Sequence, residues 1–366
     1  MRSSSTTVII PAYNAAQFIE RTLDSVLRQT YDNLEIIIID DGSTDHTSSI
    51  VEDIGATDPR IRLISEPNGG VAKARNLGIR EASGDFVAFL DADDLWHPTK
   101  IELQVAALNA VPEAVAVYGM SRLIDKQDRV IGNKTVCGSD GYSLGYHLYA
   151  LPVGNGSSLL VRREIALAVG GFEPAWNARG IGGCEDLDFE LKVVSKYPVL
   201  SLPKYLVGYR VYPGNMSSDK RRMSQALVST VEHHIRANPD LSSYVIQKAK
   251  ASVLEHSLYY LVTGRHFLLA APVLLRLLRA DFSRGFRVLA RILKERVAGF
   301  IRVGLVRKDD PLQRPFFYDL KPDFGVDLCA PGARQKKITR RIKELDRRME
   351  EKVAAFVDHR SATDMP

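Results

Sequence analysis

Along the first third of the chain, apolar residues fall into short unbroken runs rather than an in–out alternation. That pattern predicts strands buried on both faces. Thr7 to Ile10, Leu34 to Ile39, Ile61 to Ile64 and Phe86 to Leu90 are runs of this kind. Between them the spacing becomes helical. Phe18, Ile19, Leu23, Val26 and Leu27 share one face, and Gly69-Gly70 opens a helix containing Lys73, Arg75 and Asn76. Strand and helix alternating at short spacing predict an α/β fold with a doubly wound, mostly parallel mixed sheet. The polar clusters follow strands or open helices: Pro11-Ala12-Tyr13-Asn14, Asp40-Asp41-Gly42-Ser43-Thr44-Asp45, and Asp91-Ala92-Asp93-Asp94. Open α/β sheets bind ligands outside the carboxyl ends of their strands, so these clusters predict one site on one edge.

From Val115 the rhythm loosens. Strands are expected at about Ala114 to Gly119, Ser157 to Val161, Val199 to Leu202 and Leu206 to Val211, with a short helix from Arg163. A glycine-rich loop, Gly180 to Gly183, leads Glu185-Asp186 onto a helix at about Leu187 to Ser195. Polar residues near Asn215 to Lys220 suggest a boundary, dividing the chain into a sheet domain, 1–218, and a helical C-terminal domain, 219–366.

In the helical part, Phe286, Leu289, Leu293, Val297, Phe300 and Gly304 trace one face. Arg284, Arg287, Arg291, Lys294 and Arg302 gather opposite. Two readings fit this helix: one lying on an anionic membrane surface with its basic face toward headgroups, or one packed on its neighbours with that face in solvent. A second helix, Gln335 to Val357, carries Ile338, Ile342, Leu345, Met349, Val353 and Phe356 in a narrow stripe suited to packing or a coiled-coil contact.

Composition changes the picture little. With 366 residues, 45% hydrophobic and 25% charged, the chain is that of an ordinary globular protein, and its formal charge is +5. Cys137, Cys184 and Cys329 are far apart and form no metal-ligand or CxxC spacing, so a reducing compartment is expected. The N-terminus reads as no leader peptide, and no apolar run reaches the ~18–20 residues of a membrane span. Basic residues without interleaved aromatics speak against nucleic acid. The expected location is cytoplasmic, or peripheral on the inner face of the cytoplasmic membrane.

The chemistry lies in the acids. Close carboxylates such as Asp91 and Asp93 repel one another unless a cation sits among them. Mg²⁺ or Mn²⁺ takes one or two carboxylates and completes its shell from phosphate oxygens. The structural alternative is a solvated acidic turn before the helix at Thr99. For Asp40 and Asp41 the alternative is a helix cap, and for Glu185, Asp186 and Asp188 favourable occupancy of a helix N-terminus. His233-His234 reads as surface or packing.

Taken in order, Pro11-Ala12-Tyr13-Asn14, the Asp40–Asp45 cluster, Asp91-Ala92-Asp93 and Glu185-Asp186 resemble the family 2 inverting glycosyltransferases of GT-A fold, over about residues 6–218. The resemblance implies a nucleotide sugar, expected to be a UDP-sugar, bound by Pro11, Tyr13, Asn14, Asp41, Arg75, Asp91 and Ala92. It implies a Mn²⁺ or Mg²⁺ ion on Asp93. Asp186 would be the general base and Glu185 its aid or the acceptor's. The acceptor would be a glycan or lipid-linked glycan, as in surface-polysaccharide biosynthesis. The sequence departs from the family in two places. Tyr209-Arg210-Val211 is followed by Tyr212 where many relatives have a histidine, and no Gln-x-x-Arg-Trp motif of polymerising members occurs, which favours single-sugar transfer. A sugar nucleotidyltransferase or a non-catalytic module of the same fold are the alternatives.

Overall fold

The computed structural model describes residues 4–134, 138–178, 182–301, 314–323, 336–348 and 351. The first half of the sheet is built from β1 (Thr6–Ala12), β2 (Leu34–Asp40), β3 (Ile61–Ser65) and β4 (Phe86–Phe89). Helices α1 (Ile19–Leu27), α2 (Thr47–Gly55) and α3 (Val71–Glu81) connect them. After these come β5 (Leu95–Trp96), α4 (Lys100–Ala110), β6 (Ala116–Ile124), β7 (Val130–Lys134), α5 (Leu144–Ala150), β8 (Leu159–Arg162), α6 (Arg163–Ala168), α7 (Ala175–Ala178), α8 (Glu185–Val194) and β9 (Val199–Arg210). Four long helices follow: α9 (Lys220–Ala237), α10 (Ser243–Thr263), α11 (Phe267–Ala280) and α12 (Phe282–Ile301). Residues 336–348 form a further helix.

Among the described residues the strands make one mixed sheet in the order β3-β2-β1-β4-β8-β6-β9-β5, with β7 paired to β6. The unbroken apolar runs become the parallel part: β1 pairs with β2 and β4, and β2 with β3, all parallel. Beyond β4 the pairing turns antiparallel through β8. The two segments expected at Val199 to Leu202 and Leu206 to Val211 are one strand. Pro203 between them lacks the N–H a ladder needs. A register shift opposite Tyr118 to Met120 absorbs it, Ser201 pairing with Tyr118 and Tyr205 with Met120. Close packing of α3 on β1 requires Gly78, since a Cβ there would come within 2.3 Å of an Ile9 methyl.

Helices α9 and α10 close over the edge that carries the polar clusters. Leu227, Val231, Ile235, Val245 and Val253 enter the same buried cluster as Leu144, Leu187, Phe189 and Leu191 of α5 and α8. The helix at 336–348 docks on that cluster through Ile342, which is fully buried. Beside it, Asp346 accepts the backbone N–H groups of Gly145 and Tyr146 at 2.9 and 3.0 Å, capping α5 from a distant part of the chain. Burial pushes the Asp346 carboxyl up to about 6. Asp346→Ala strands two buried donors, and we expect a loss of ~1–3 kcal/mol, read as a lower denaturation midpoint together with faster proteolysis near residue 346. Of the expected stripe on this helix, Met349, Val353 and Phe356 lie outside the described residues, as does the expected start at Gln335.

Candidate functional site

Four loops meet at the carboxyl edge of β1, β2 and β4, and each is pinned by its own polar residues. After β1, Tyr13 is 54% exposed over a cleft, and Asn14 takes a left-handed backbone (φ 49°) that Asn tolerates better than most residues. Asn14 locks its loop to the next one: its N–H donates to Ser43 Oγ at 2.9 Å, and its Oδ1 accepts from Thr44 N–H at 2.8 Å. Asp41 accepts the N–H groups of Gly69 and Gly70 at 2.7 and 2.8 Å, one on each oxygen. Its carboxylate therefore holds the entry to α3, and a contact to a base would use the remaining lone pairs. Asp40 is buried and turned inward, accepting from Ser43 N–H and Ser48 Oγ.

The turn after β4 separates three neighbouring acids by environment. Asp94 is fully buried, accepting Ser157 Oγ at 2.6 Å and Arg210 N–H at 2.9 Å, and its role is to fix the turn against β9. Asp91 faces the cleft and pairs with Arg75 Nη2 at 2.5 Å. Asp93 lines the same cleft, with Tyr212 Oη donating to its Oδ2 at 3.0 Å. Burial, then repulsion from Asp91, pushes the Asp93 carboxyl up to about 6 despite that hydrogen bond. Two acids this close, one held near neutrality, are the electrostatic condition a cation relieves.

Across the cleft, the loop before α8 turns at Gly183 (φ 118°) and donates its N–H to Glu185 Oε2 at 2.8 Å. Glu185 is thereby buried, while Asp186 stays half-buried at the cleft wall. Burial raises the Asp186 carboxyl above the usual carboxylate range, and Arg75 and Lys134 pull it back down. Arg75 joins the two halves. Its guanidinium is buried beside Asp91, stands 5.0 Å from the Phe172 ring, and is held charged by Asp91, Asp186 and Glu185. It is a buried guanidinium paired with a half-buried carboxylate that faces the cleft, so removing Asp91 would leave a buried charge without its partner. Pro11, Tyr13, Asn14, Asp41, Arg75, Asp91, Ala92, Asp93, Glu185 and Asp186 all line one cleft of about 970 Å³.

The fold is shared with solved glycosyltransferases. The Staphylococcus aureus TarS 1–349 structure, in complex with UDP-GlcNAc, superposes with a TM-score of 0.55 at 20% identity, covering 78% of this chain and 83% of that one. The family model described as Glycosyl transferase family 2 matches residues 7–150. An uncharacterized glycosyltransferase of Nostoc sp. is 30% identical over 244 residues, 62% of this chain and 73% of that protein. The chain belongs to glycosyl transferase family 2. A chondroitin synthase of Escherichia coli is also 30% identical, over 253 residues, but this chain spans only 34% of its length.

For a family 2 chain, several cleft residues carry no sequence signal of their own. Arg210 threads under the acidic turn, its Nε donating to Asp93 carbonyl oxygen at 2.6 Å and its Nη1 pairing with Asp128 at 2.6 Å. Lys134, at the end of β7, reaches Gly154 carbonyl oxygen and the Tyr209 ring. Glu190, one turn after Asp186, lines the cleft and is held by buried His147 Nδ1 at 2.5 Å. Of the histidine pair, His234 takes the packing role: it is buried on α9 and meets Asp188 at 2.9 Å, an acid from another helix that spacing along one helix could not reveal. Cys184 is buried beside the acids, where burial and the neighbouring carboxylates push its thiol well above the ordinary range. That excludes a ready thiolate nucleophile.

Proposed function

We propose that the protein moves one sugar from a nucleotide sugar, a UDP-sugar in our reading, to a hydroxyl of a glycan or lipid-linked acceptor, with inversion. The observation that carries this is the convergence of Asp91 and Asp93 with Glu185 and Asp186 on one cleft, bridged by Arg75. Asp186 takes the acceptor proton. A base needs a pKa between that of a free carboxylate and neutrality, and burial opposed by Arg75 moves Asp186 in that direction. Glu185, fixed by the Gly183 N–H, positions the acceptor side. Tyr13 covers the base, and Asp91 with Arg75 organises the ribose and diphosphate end.

The residues present fit a divalent cation of a particular kind. Among the described residues no three acids or histidines form a complete cage. Asp93, with Asp91 nearby, offers the one or two carboxylates that Mn²⁺ or Mg²⁺ accepts when phosphate oxygens complete the shell. A bound cation supplies Lewis-acid neutralisation of the leaving diphosphate. Tyr212 contributes a hydrogen bond to Asp93 rather than a ligand: its hydroxyl is pushed further above its normal pKa by burial and by Asp93, so it stays protonated. The lack of a Gln-x-x-Arg-Trp motif supports single transfer over polymerisation.

Thermal denaturation against a panel of nucleotide sugars, with and without Mn²⁺, tests the reading. Saturation at about 100 times Kd raises apparent stability by ~2.7 kcal/mol. We expect a UDP-sugar to raise the midpoint strongly with metal and weakly without it, and NMR of the product to show the inverted anomer. A panel in which no nucleotide sugar stabilises the protein would remove the donor assignment.

A further inference from the structure

Helices α11 and α12 form a hairpin whose inner side is settled. Ala270, Leu277 and Val288 are buried against Leu254, Leu258 and Leu261 of α10. Of the residues expected on a solvated basic face, Arg284 turns inward to Glu255 of α10 at 2.5 Å, while Arg291 reaches the same carboxylate at 3.0 Å from an exposed position. Arg287 and Lys294 keep the exposure expected of the basic face, and Arg302 lies outside the described residues. Large apolar residues are left outside along the hairpin: Leu268 is 93% exposed, Phe282 71%, Phe286 59%, and Leu275 and Leu293 56% each; of the expected stripe Leu289 is half-buried, and the side chains of Val297 and Phe300, with Gly304, are outside what is described. The Phe282 and Phe286 rings stack, 6.4 Å between centroids. Interspersed with them, Arg276, Arg279, Arg287 and Lys294 are exposed. From Phe267 through Lys294 the one acid is Asp281, which is occupied by Lys248 at 2.9 Å and nearly buried.

We propose that this outer face of α11 and α12 is a docking surface for an anionic bilayer. Large apolar side chains set among cations, with no free carboxylate between them, match acyl chains below and anionic headgroups around. Docking lies in the plane of the membrane, because no described helix is long and apolar enough to cross one. A second copy of the chain fits the face poorly, since a two-fold contact would bring the same arginines against one another. The hairpin also lies beside the acceptor end of the cleft. Arg284 stands 5.5 Å from the Tyr149 ring, and the next residue on α5, Ala150, lines the cleft, as do His256 and Tyr260 of α10. Docking does not depend on the proposed reaction, although a lipid-linked acceptor would gain from it.

Co-sedimentation of the full chain with phosphatidylcholine vesicles, and with vesicles that also contain phosphatidylglycerol, tests the proposal. We expect binding to the anionic vesicles that weakens at high salt through screening. The double variant Leu268→Glu/Phe286→Glu should lose about tenfold or more of that affinity, with an unchanged denaturation midpoint and unchanged donor binding. A tryptophan placed by Phe286→Trp should shift its emission to the blue on binding. Absence of binding to anionic vesicles would overturn the assignment, as would equal binding by the double variant. Sedimentation equilibrium showing a dimer that the double variant dissociates, without vesicle affinity, would assign the face to a second copy instead.

Discussion

Asp186→Asn should lower kcat by about 10²- to 10⁴-fold, the range over which a positioned general base acts. The barrier rises correspondingly by ~3–5 kcal/mol. Donor binding should survive, because Asp186 sits on the acceptor side of Arg75 in our reading. The same substitution carries a second, opposite expectation for stability. A carboxyl whose folded pKa is raised binds its proton more tightly in the native than in the unfolded state. Its ionised form therefore weighs against folding above the unfolded pKa, a penalty absent at lower pH. Asn keeps the shape without the charge, so at neutral pH the variant should melt at or above the wild-type midpoint while being nearly inactive. Turnover should also fall as pH drops through the raised Asp186 pKa. A variant that is both less stable and fully active would contradict the assignment on two counts.

Asp93→Asn should act on the donor. With the carboxylate removed, metal-dependent affinity for the nucleotide sugar should fall by roughly a hundredfold or more, the several kcal/mol a cation contributes against developing charge. Affinity for donor without metal should change little. The wild-type carboxyl near 6 gives this a pH signature. Metal binding requires the deprotonated form, so below about pH 6 each unit of acid should cost about tenfold in apparent metal affinity. Titration calorimetry of Mn²⁺ in the presence of a nucleoside diphosphate, repeated across that range, measures it. A flat profile would move the metal away from Asp93.

Much of the site is legible in the sequence because each element of it is local. An apolar run followed by Asp91-Ala92-Asp93 specifies a strand end, and Gly183 before Glu185-Asp186 specifies a loop entering a helix. The parallel order of β1 to β4 follows from the same unbroken runs. Long-range facts are not written that way. The antiparallel placement of β8 depends on which neighbour it meets, and Pro203 reads as a strand break until a register shift accommodates it. His147 and Glu190 are 43 residues apart, as buried partners can be, and neither has a local pattern. Arg75 is one of three basic residues on α3, and only the fold sets it between two acid clusters. For α12 the periodicity defines two faces but not which of them is inside. Glu255, on a different helix, draws Arg284 inward, while Arg291 reaches it from an exposed position.

The shared cleft itself can be observed in solution. With aspartate carboxyls labelled by ¹³C, adding Mn²⁺ and a nucleoside diphosphate should erase the Asp91 and Asp93 signals by paramagnetic relaxation and strongly broaden that of Asp186. Asp58, paired with Arg60 on the remote side of β3, should stay sharp. An Asp186 signal as sharp as that of Asp58 would separate the proposed base from the proposed metal.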